Sequence, residues 1–174
     1  VPLLWALDCK ENWRGKLIGF RAVQEKDIPQ ICEFPQNKEE LFFLSPKASF
    51  PLSKEVFKAI IAERHNATVV TKNEKVVGFA SLYKIEENNK CFIGNVIVSP
   101  SARGAGIGRA LIDQMTKISV ENYGIKEIHL SCFNNNVGGL LLYSKIGFIP
   151  YEIEERINDN NEKVALIHMK RKAT

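Results

Sequence analysis

The chain has 174 residues, 45% of them hydrophobic and 25% charged, enough for one globular domain whose core needs no metal or disulfide staple. Its formal net charge of +4, from 24 basic and 20 acidic residues, is modest and spread along the chain. Such a balance favours an anionic ligand and excludes charge-driven binding of nucleic acid, so no nucleic-acid partner is expected.

Residues 1–7 (VPLLWAL) are apolar but short, with no basic leader, which makes a poor signal peptide. They read as an extra strand, a packing tail or a cloning remnant, and residues 1–16 are set apart as an N-terminal extension from a domain over 17–174. No run approaches the length of a bilayer span, so no membrane partner is expected. A strand is predicted over 17–23, then a helix beginning near Glu25–Asp27 and stopped by Pro35. A loop-rich stretch with Pro46 and Pro51 follows, and Ser53 caps a second helix that runs to Arg64.

Strands over 67–72 and 76–83 flank a turn at Asn73-Glu74, and the polar tip at 86–89 marks another hairpin. Residues 92–98 (FIGNVIV) are apolar on both faces apart from Asn95 and read as a buried central strand. After a loop over 99–105, Ile107, Leu111, Met115 and Ile118 recur at helical spacing until Gly124 ends the helix. A strand over 126–132 alternates Ile128, Leu130 and Cys132 against Glu127, His129 and Ser131. Asn134-Asn135-Asn136 then opens a helix that ends at Gly147, and strands over 149–157 and 164–170 close the chain as a hairpin. Antiparallel strands, one strand–helix–strand crossover, a helix and a hairpin make a mixed α/β (α+β) three-layer fold.

Cys9, Cys32, Cys91 and Cys132 form no C-x-x-C pair, and His65, His129 and His168 are equally scattered, so no metal site is expected. The thiols read as reduced, in a cytoplasmic protein, with Cys91 and Cys132 as packing residues at strand edges.

The stretch VSPSARGAGIGRAL, from Val98 to Leu111, carries the chemistry. A buried strand feeds a loop holding Gly104, Gly106 and Gly108, and the loop opens straight into an amphipathic helix. Glycines let backbone N–H groups approach a ligand closely, and the first N–H groups of a helix have no internal partner. With Arg103 and Arg109 at the rim, the pattern suits a polyanion such as a pyrophosphate. A dinucleotide fingerprint has different glycine spacing and belongs to repeated βαβ units, and a nucleotide P-loop needs the missing Gly-Lys-Ser/Thr. A plain strand-to-helix turn would not need three glycines and two arginines at one helix entry.

Arg103-x-x-Gly106-x-Gly108, after a buried strand and Pro100, resembles the coenzyme A pyrophosphate loop of the GNAT superfamily of N-acetyltransferases. A second block, Asn136-x-x-Gly139-x-x-x-Tyr143-x-x-x-Gly147-Phe148, is similar to that superfamily's Asn-x-x-Ala-x-x-x-Tyr-x-x-x-Gly-Phe helix, with Gly139 as a departure. The likeness is close over 92–151, and the element order fits over 17–170. It implies an acyl-CoA N-acyltransferase fold: a central mixed, mostly antiparallel sheet with a splayed parallel strand pair and helices on both faces. It also implies acetyl-CoA as co-substrate, no metal, and transfer of acetyl to a primary amine of a small molecule or peptide by direct attack in a ternary complex. Protein N-terminal acetylation and a non-catalytic coenzyme A sensor are the alternatives, and a homodimer is compatible with the superfamily.

By the same resemblance, the strand edge at Val96, Ile97 and Val98 takes the pantetheine arm. Arg103, Gly104, Ala105, Gly106, Ile107, Gly108 and Arg109 take the pyrophosphate. Asn136 caps its helix and touches the same arm, and Tyr143 lines the cofactor site and protonates the leaving sulfur; its bland reading is a packed tyrosine. Gly138 and Gly139 suggest that this helix packs closely on the cofactor. No acid stands on 92–98, and Glu127 is the one acid on the next strand, so Asn95 or Ser131 is assigned a water that deprotonates the amine. For Asn95 a purely structural hydrogen bond is the competing reading. Phe42, Phe43, Phe50, Tyr151, Glu152, Glu154, Glu155 and Arg156 stand where acceptors bind in this fold. Their acids read either as an attractor for a cationic amine or as a solvated strand face, and the acceptor is left open.

Overall fold

A computed structural model of the chain describes residues 9–13 and 16–173, with side chains from Ile18 onward. Among the described residues eight strands form one sheet in the order β1-β2-β3-β4-β5-β6-β8-β7. They are β1 (Cys9–Trp13), β2 (Lys16–Ala22), β3 (His65–Lys72), β4 (Lys75–Glu86), β5 (Lys90–Val98), β6 (Glu127–Phe133), β7 (Ile149–Ile157) and β8 (Lys163–Lys172). Every neighbouring pair is antiparallel except β5 and β6. The helices are α1 (Ile28–Cys32), α2 (Lys38–Leu44), α3 (Lys54–Ala62), α4 (Ile107–Tyr123) and α5 (Val137–Lys145).

Two cores flank the sheet, which is why the central strands are apolar on both faces. On one side α4 buries Ile107, Leu111, Met115 and Ile118, the stripe its spacing predicts, against Leu82, Ile93, Ile128 and Leu130. On the other side α1–α3 cover Val69, Phe79 and Ile97, with Phe57 of α3 edge-on to Phe79 at 5.1 Å between ring centres. Emptying the Phe57 site would cost about 3–5 kcal/mol. Cys91 and Cys132 are buried in the α4 core, where burial pushes the thiols up to about 11 and about 12; they pack, as their strand-edge positions suggest.

The elements match the sequence reading closely, with three differences. Residues 9–13 add strand β1 to the sheet through a register from Cys9↔Phe20 to Trp13↔Lys16, so part of the segment set apart as an extension is built into the domain's sheet. The apolar run at 1–7 lies outside the described residues. The stretch read as loop-rich holds α2, whose N-cap Asn37 accepts a hydrogen bond from the Glu40 amide at 2.9 Å, with Leu41, Phe42 and Leu44 buried behind it. An asparagine three residues ahead of a glutamate before an apolar run is a helix start, and the nearby prolines masked it. Finally, α3 stops at Ala62 because β3 begins at His65.

The parallel pair is a fork. β5 and β6 are in register at Lys90↔Glu127, Cys91↔Ile128 and Phe92↔His129, and the ladder goes no further. Beyond it β5 stays with β4 through Phe79↔Ile97 and Gly78↔Val98, while β6 stays with β8 as far as Phe133↔Leu166. The two strands part because each is held by its other neighbour. An irregularity in β5 lies on the rim of the fork: the register with β4 shifts between Phe79 and Ser81, and Asn95 takes a φ of +53°.

Candidate active site

A cavity of about 570 Å3 opens at the fork, a size that accommodates a small-molecule cofactor. Its walls are Val96, Ile97 and Val98 of β5, the loop Arg103, Gly104 and Gly106 with Ile107, Gly108 and Arg109 of α4, and Asn136, Gly138, Gly139, Leu142 and Tyr143 from α5 and its cap. Nearly every residue assigned to the cofactor from sequence therefore borders one space. Ala105 is the exception, being half-buried and packed against the α4 core.

The loop geometry follows from its glycines. Gly106 is the N-cap of α4 with φ +86°, in the left-handed region, and Gly104 has φ +74° with open space where a side chain would project. The first α4 hydrogen bond runs from the Ala110 amide to the Gly106 carbonyl at 3.0 Å. The amides ahead of Ala110 thus face the loop, at the positive end of a 17-residue helix. Gly108 has a different reason: a Cβ there would lie 3.0 Å from Leu142 Cδ2, so its smallness lets α4 and α5 approach.

The two arginines are not equivalent. Arg109 borders the cavity with Nε 3.5 Å from Asp113 Oδ2, a contact that satisfies no hydrogen bond of the buried Nε. Arg103 does not present an unpaired charge. Both of its terminal nitrogens lie 2.8 Å from the Glu40 carboxylate oxygens, and Nε reaches the Val98 carbonyl at 3.3 Å. The Arg103 hydrogen bonds hold the Glu40 carboxyl below its usual range despite partial burial, and the Gln36 amide adds to the effect. Glu40, Phe43 and Leu44 line the cavity from α2, and Lys145 from the end of α5; sequence reasoning assigned none of these a cofactor role.

Asn136 is a true N-cap, its Oδ1 accepting from the Gly139 amide at 3.1 Å. Gly139 is small for a reason within the protein: a Cβ would meet the Asn136 side-chain nitrogen at 2.9 Å and Cys132 Sγ at 3.0 Å. Gly138, by contrast, has open space and borders the cavity. Tyr143 is 7% exposed, its ring edge-on to Phe148 at 6.1 Å. Burial, helped by the nearby Cys132, pushes its hydroxyl far above the usual phenol range, so it stays protonated.

Asn95 and Ser131 do not border this cavity. Both ends of the Asn95 amide are engaged: Nδ2 donates to the Leu44 carbonyl at 2.8 Å and Oδ1 accepts from Ser81 Oγ at 3.0 Å. That ties the irregular part of β5 to the end of α2 and is the structural hydrogen bond weighed for this residue. Ser131 sits on the sheet face turned away from α4, 2.8 Å from His168 Nδ1. Among the described residues no group of three or more His, Cys, Asp or Glu is placed to hold a metal ion, and no helix is long and apolar enough to cross a membrane.

The chain resembles known proteins over most of its length. The family model described as Acetyltransferase (GNAT) family matches residues 31–148. The [ribosomal protein bS18]-alanine N-acetyltransferase of Escherichia coli K12 is 28% identical over 100 residues, which is 58% of this chain and 66% of that protein, so the match spans just under two thirds of that relative. Glucosamine 6-phosphate N-acetyltransferase of Trypanosoma brucei brucei is 33% identical over 152 residues, 81% of this chain and 95% of that one. A putative acetyltransferase of Salmonella typhimurium, solved with its cofactor acetyl-CoA, shares the fold with a TM-score of 0.69 over 90% of this chain and 94% of its own, at 17% identity.

Proposed function

The chain belongs to the acetyltransferase (GNAT) family, and from that premise we propose that it transfers an acetyl group from acetyl-CoA to a primary amine of a small molecule or peptide within a ternary complex. The observation that carries this reading is the cavity at the fork, where a glycine loop at a helix N-terminus and a buried tyrosine border one space. The residues fit the group: Gly104 and Gly106 present backbone with no side chain in the way, and the open amides at the head of α4 suit a pyrophosphate. A relative solved with acetyl-CoA has the same fold.

When bound, acetyl-CoA supplies the activated acyl group. The amides of Gly106, Ile107, Gly108 and Arg109 hold the diphosphate. The β5 edge over Val96, Ile97 and Val98, free of β6 there, holds the pantetheine arm by main-chain hydrogen bonds. Asn136 fixes the start of α5 and so the position of Tyr143. The Tyr143 hydroxyl then delivers a proton to the departing sulfur. It suits that task because burial keeps it protonated and a buried donor acts in a low-dielectric setting.

Relatives that act on a ribosomal protein and on an aminosugar phosphate show how widely acceptors vary around one core, so the acceptor is left as an amine. The test is release of thiol from acetyl-CoA by the purified chain with a panel holding an alanyl peptide, glucosamine 6-phosphate and a polyamine. Release dependent on one amine is expected. Tight coenzyme A binding with no release from any amine would favour the sensor alternative.

A further inference from the structure

The sheet face opposite α4 and α5 carries a second constellation. Leu82, Ile93, Ile128, Leu130, Cys132 and Met169 point into the α4 core, so their neighbours Tyr83, Phe92, His129, Ser131 and His168 point the other way. There Ser131 Oγ lies 2.8 Å from His168 Nδ1, and His168 Nε2 lies 3.2 Å from Glu154 Oε2. Tyr83 completes the row. Its ring lies across Gly94, where a Cβ would come within 2.7 Å of the ring, and its hydroxyl lies near Ser131. Gly94 is therefore empty so that a β4 tyrosine can reach over β5 to a β6 serine.

The place of this row in the fold gives it meaning. The β5–β6 ladder ends at Phe92↔His129, which makes Ser131 the first β6 residue beyond the fork on this face. The next residue, Cys132, points to the other face and lies against Gly139 of α5, next to Tyr143. Ser131 thus lies just past the end of the β5–β6 ladder on one face of the sheet, while Tyr143 borders the cavity from the other. Further along the same face, Phe133 stacks with Phe42 at 4.4 Å and Phe43 at 6.3 Å, and Phe43 lines the cavity. The face is continuous with the site.

We propose that Ser131, His168 and Glu154 form the proton relay that deprotonates the acceptor amine, the amine entering from this face while Tyr143 serves the leaving sulfur from the other. The relay rests on the acetyltransferase reading above and supplies the base that β5 lacks. Its step balances. As the neutral amine's nitrogen bonds to the acyl carbon and the acyl carbon–sulfur bond breaks, the N–H proton passes to Ser131 Oγ, and the serine's own proton passes to His168 Nδ1. Glu154 accepts a hydrogen bond from His168 Nε2–H throughout and offsets the imidazolium charge, while Tyr143 gives its proton to the sulfur. His168 acts through Ser131 and is a positioning and proton-storing residue. The groups around it are Ser131 and His129 of β6, Tyr151, Glu152 and Glu154 of β7, Tyr83 of β4, and Lys170 on its own strand, with Arg156 3.0 Å from Glu154.

Nitrogen-15 NMR of the histidine side chains in the full chain gives a readout free of turnover. Neutral His168 is expected as the Nε2–H tautomer with Nδ1 accepting from Ser131, and Glu154→Gln is expected to weaken that tautomer preference. The Nδ1–H tautomer, or a tautomer preference unmoved by Glu154→Gln, would overturn the relay. The second arm follows kcat/KM against pH with acetyl-CoA and the best amine of the panel, alongside calorimetric coenzyme A binding. His168→Gln is expected to leave coenzyme A affinity intact, to cut kcat/KM by about 100-fold and to remove the acidic limb of the profile, with Ser131→Ala reproducing the loss. An unchanged rate and limb, with coenzyme A still bound, would overturn the relay alone. Failure of the unaltered chain to bind coenzyme A would instead remove the acetyltransferase reading itself.

Discussion

Arg103 and Glu40 meet across the mouth of the cavity in a two-pronged ion pair, each terminal nitrogen 2.8 Å from a carboxylate oxygen. The pair ties the loop ahead of α4 to the first turn of α2, and Arg103 reaches further to the Phe34 carbonyl at 3.5 Å. A cation expected to serve the ligand is thereby turned toward the protein, and a carboxylate stands among the residues that line the cavity.

Glu40→Gln is accordingly expected to tighten coenzyme A binding, by about 3–10-fold at low ionic strength, because it removes a repelling charge and releases Arg103. Calorimetry at low and high salt checks this, since the gain should shrink as salt screens the pair. Weaker binding of the variant at both salt levels would mean that the ion pair builds the site by holding α2 in place.

Gly106→Glu addresses the loop itself. The residue would take a conformation with φ +86°, which costs a non-glycine residue about 1–2 kcal/mol, and would set a carboxylate at the helix entry where the diphosphate is assigned. Loss of detectable coenzyme A binding with an unchanged circular dichroism spectrum is the expected outcome. Unchanged affinity would place the diphosphate elsewhere.

Tyr143→Phe separates binding from chemistry. The ring stays buried against Phe148, so affinity should hold, while kcat falls by about 10²–10⁴-fold if the hydroxyl is the acid. Burial sets the phenol far above its usual range. Loss of this proton should therefore impose no alkaline limb on the wild-type rate within the working range. A rate profile that falls between pH 8 and pH 10 in the wild type but not in Tyr143→Phe would contradict that assignment.

What could be read from the sequence was whatever local spacing encodes. The α4 stripe, the glycine loop and the Asn136–Tyr143 interval are short-range patterns, and the structure gathers them around one cavity. Contacts made by distant segments were invisible. Glu40 and Arg103 lie on separate elements, and prolines at 35 and 46 outweigh the four-residue cap signal of α2 in the sequence. His168, Ser131 and Glu154 come from β8, β6 and β7, and only the β6–β8–β7 order brings them together; as a sequence, the histidines looked scattered. Arg103 shows the limit from the other side, since its position was legible and its partner was not.

Stability at low pH turns on a pair away from the cavity. Asp27 and Arg21 are bonded at 2.6 and 2.9 Å with side chains 4% and 13% exposed, and the Gln24 amide donates to the same carboxylate at 2.8 Å. Burial alone would raise the Asp27 pKa, but the Arg21 and Gln24 hydrogen bonds and the neighbouring positive charges outweigh it and leave the group below its ordinary 3.8. A depressed folded pKa contributes stability that is complete above the unfolded value and is lost as pH falls through the folded one. Asp27→Asn is therefore expected to cost about 3 kcal/mol at pH 7, since it takes the negative charge out of a buried ion pair. The difference between the two proteins should narrow as pH falls below 3.8, where the wild type loses its own charge. Urea unfolding of both at neutral and at strongly acidic pH measures the gap, and a gap of equal size at the two would mean that the carboxylate's charge contributes nothing to holding β2 against the turn that leads into α1.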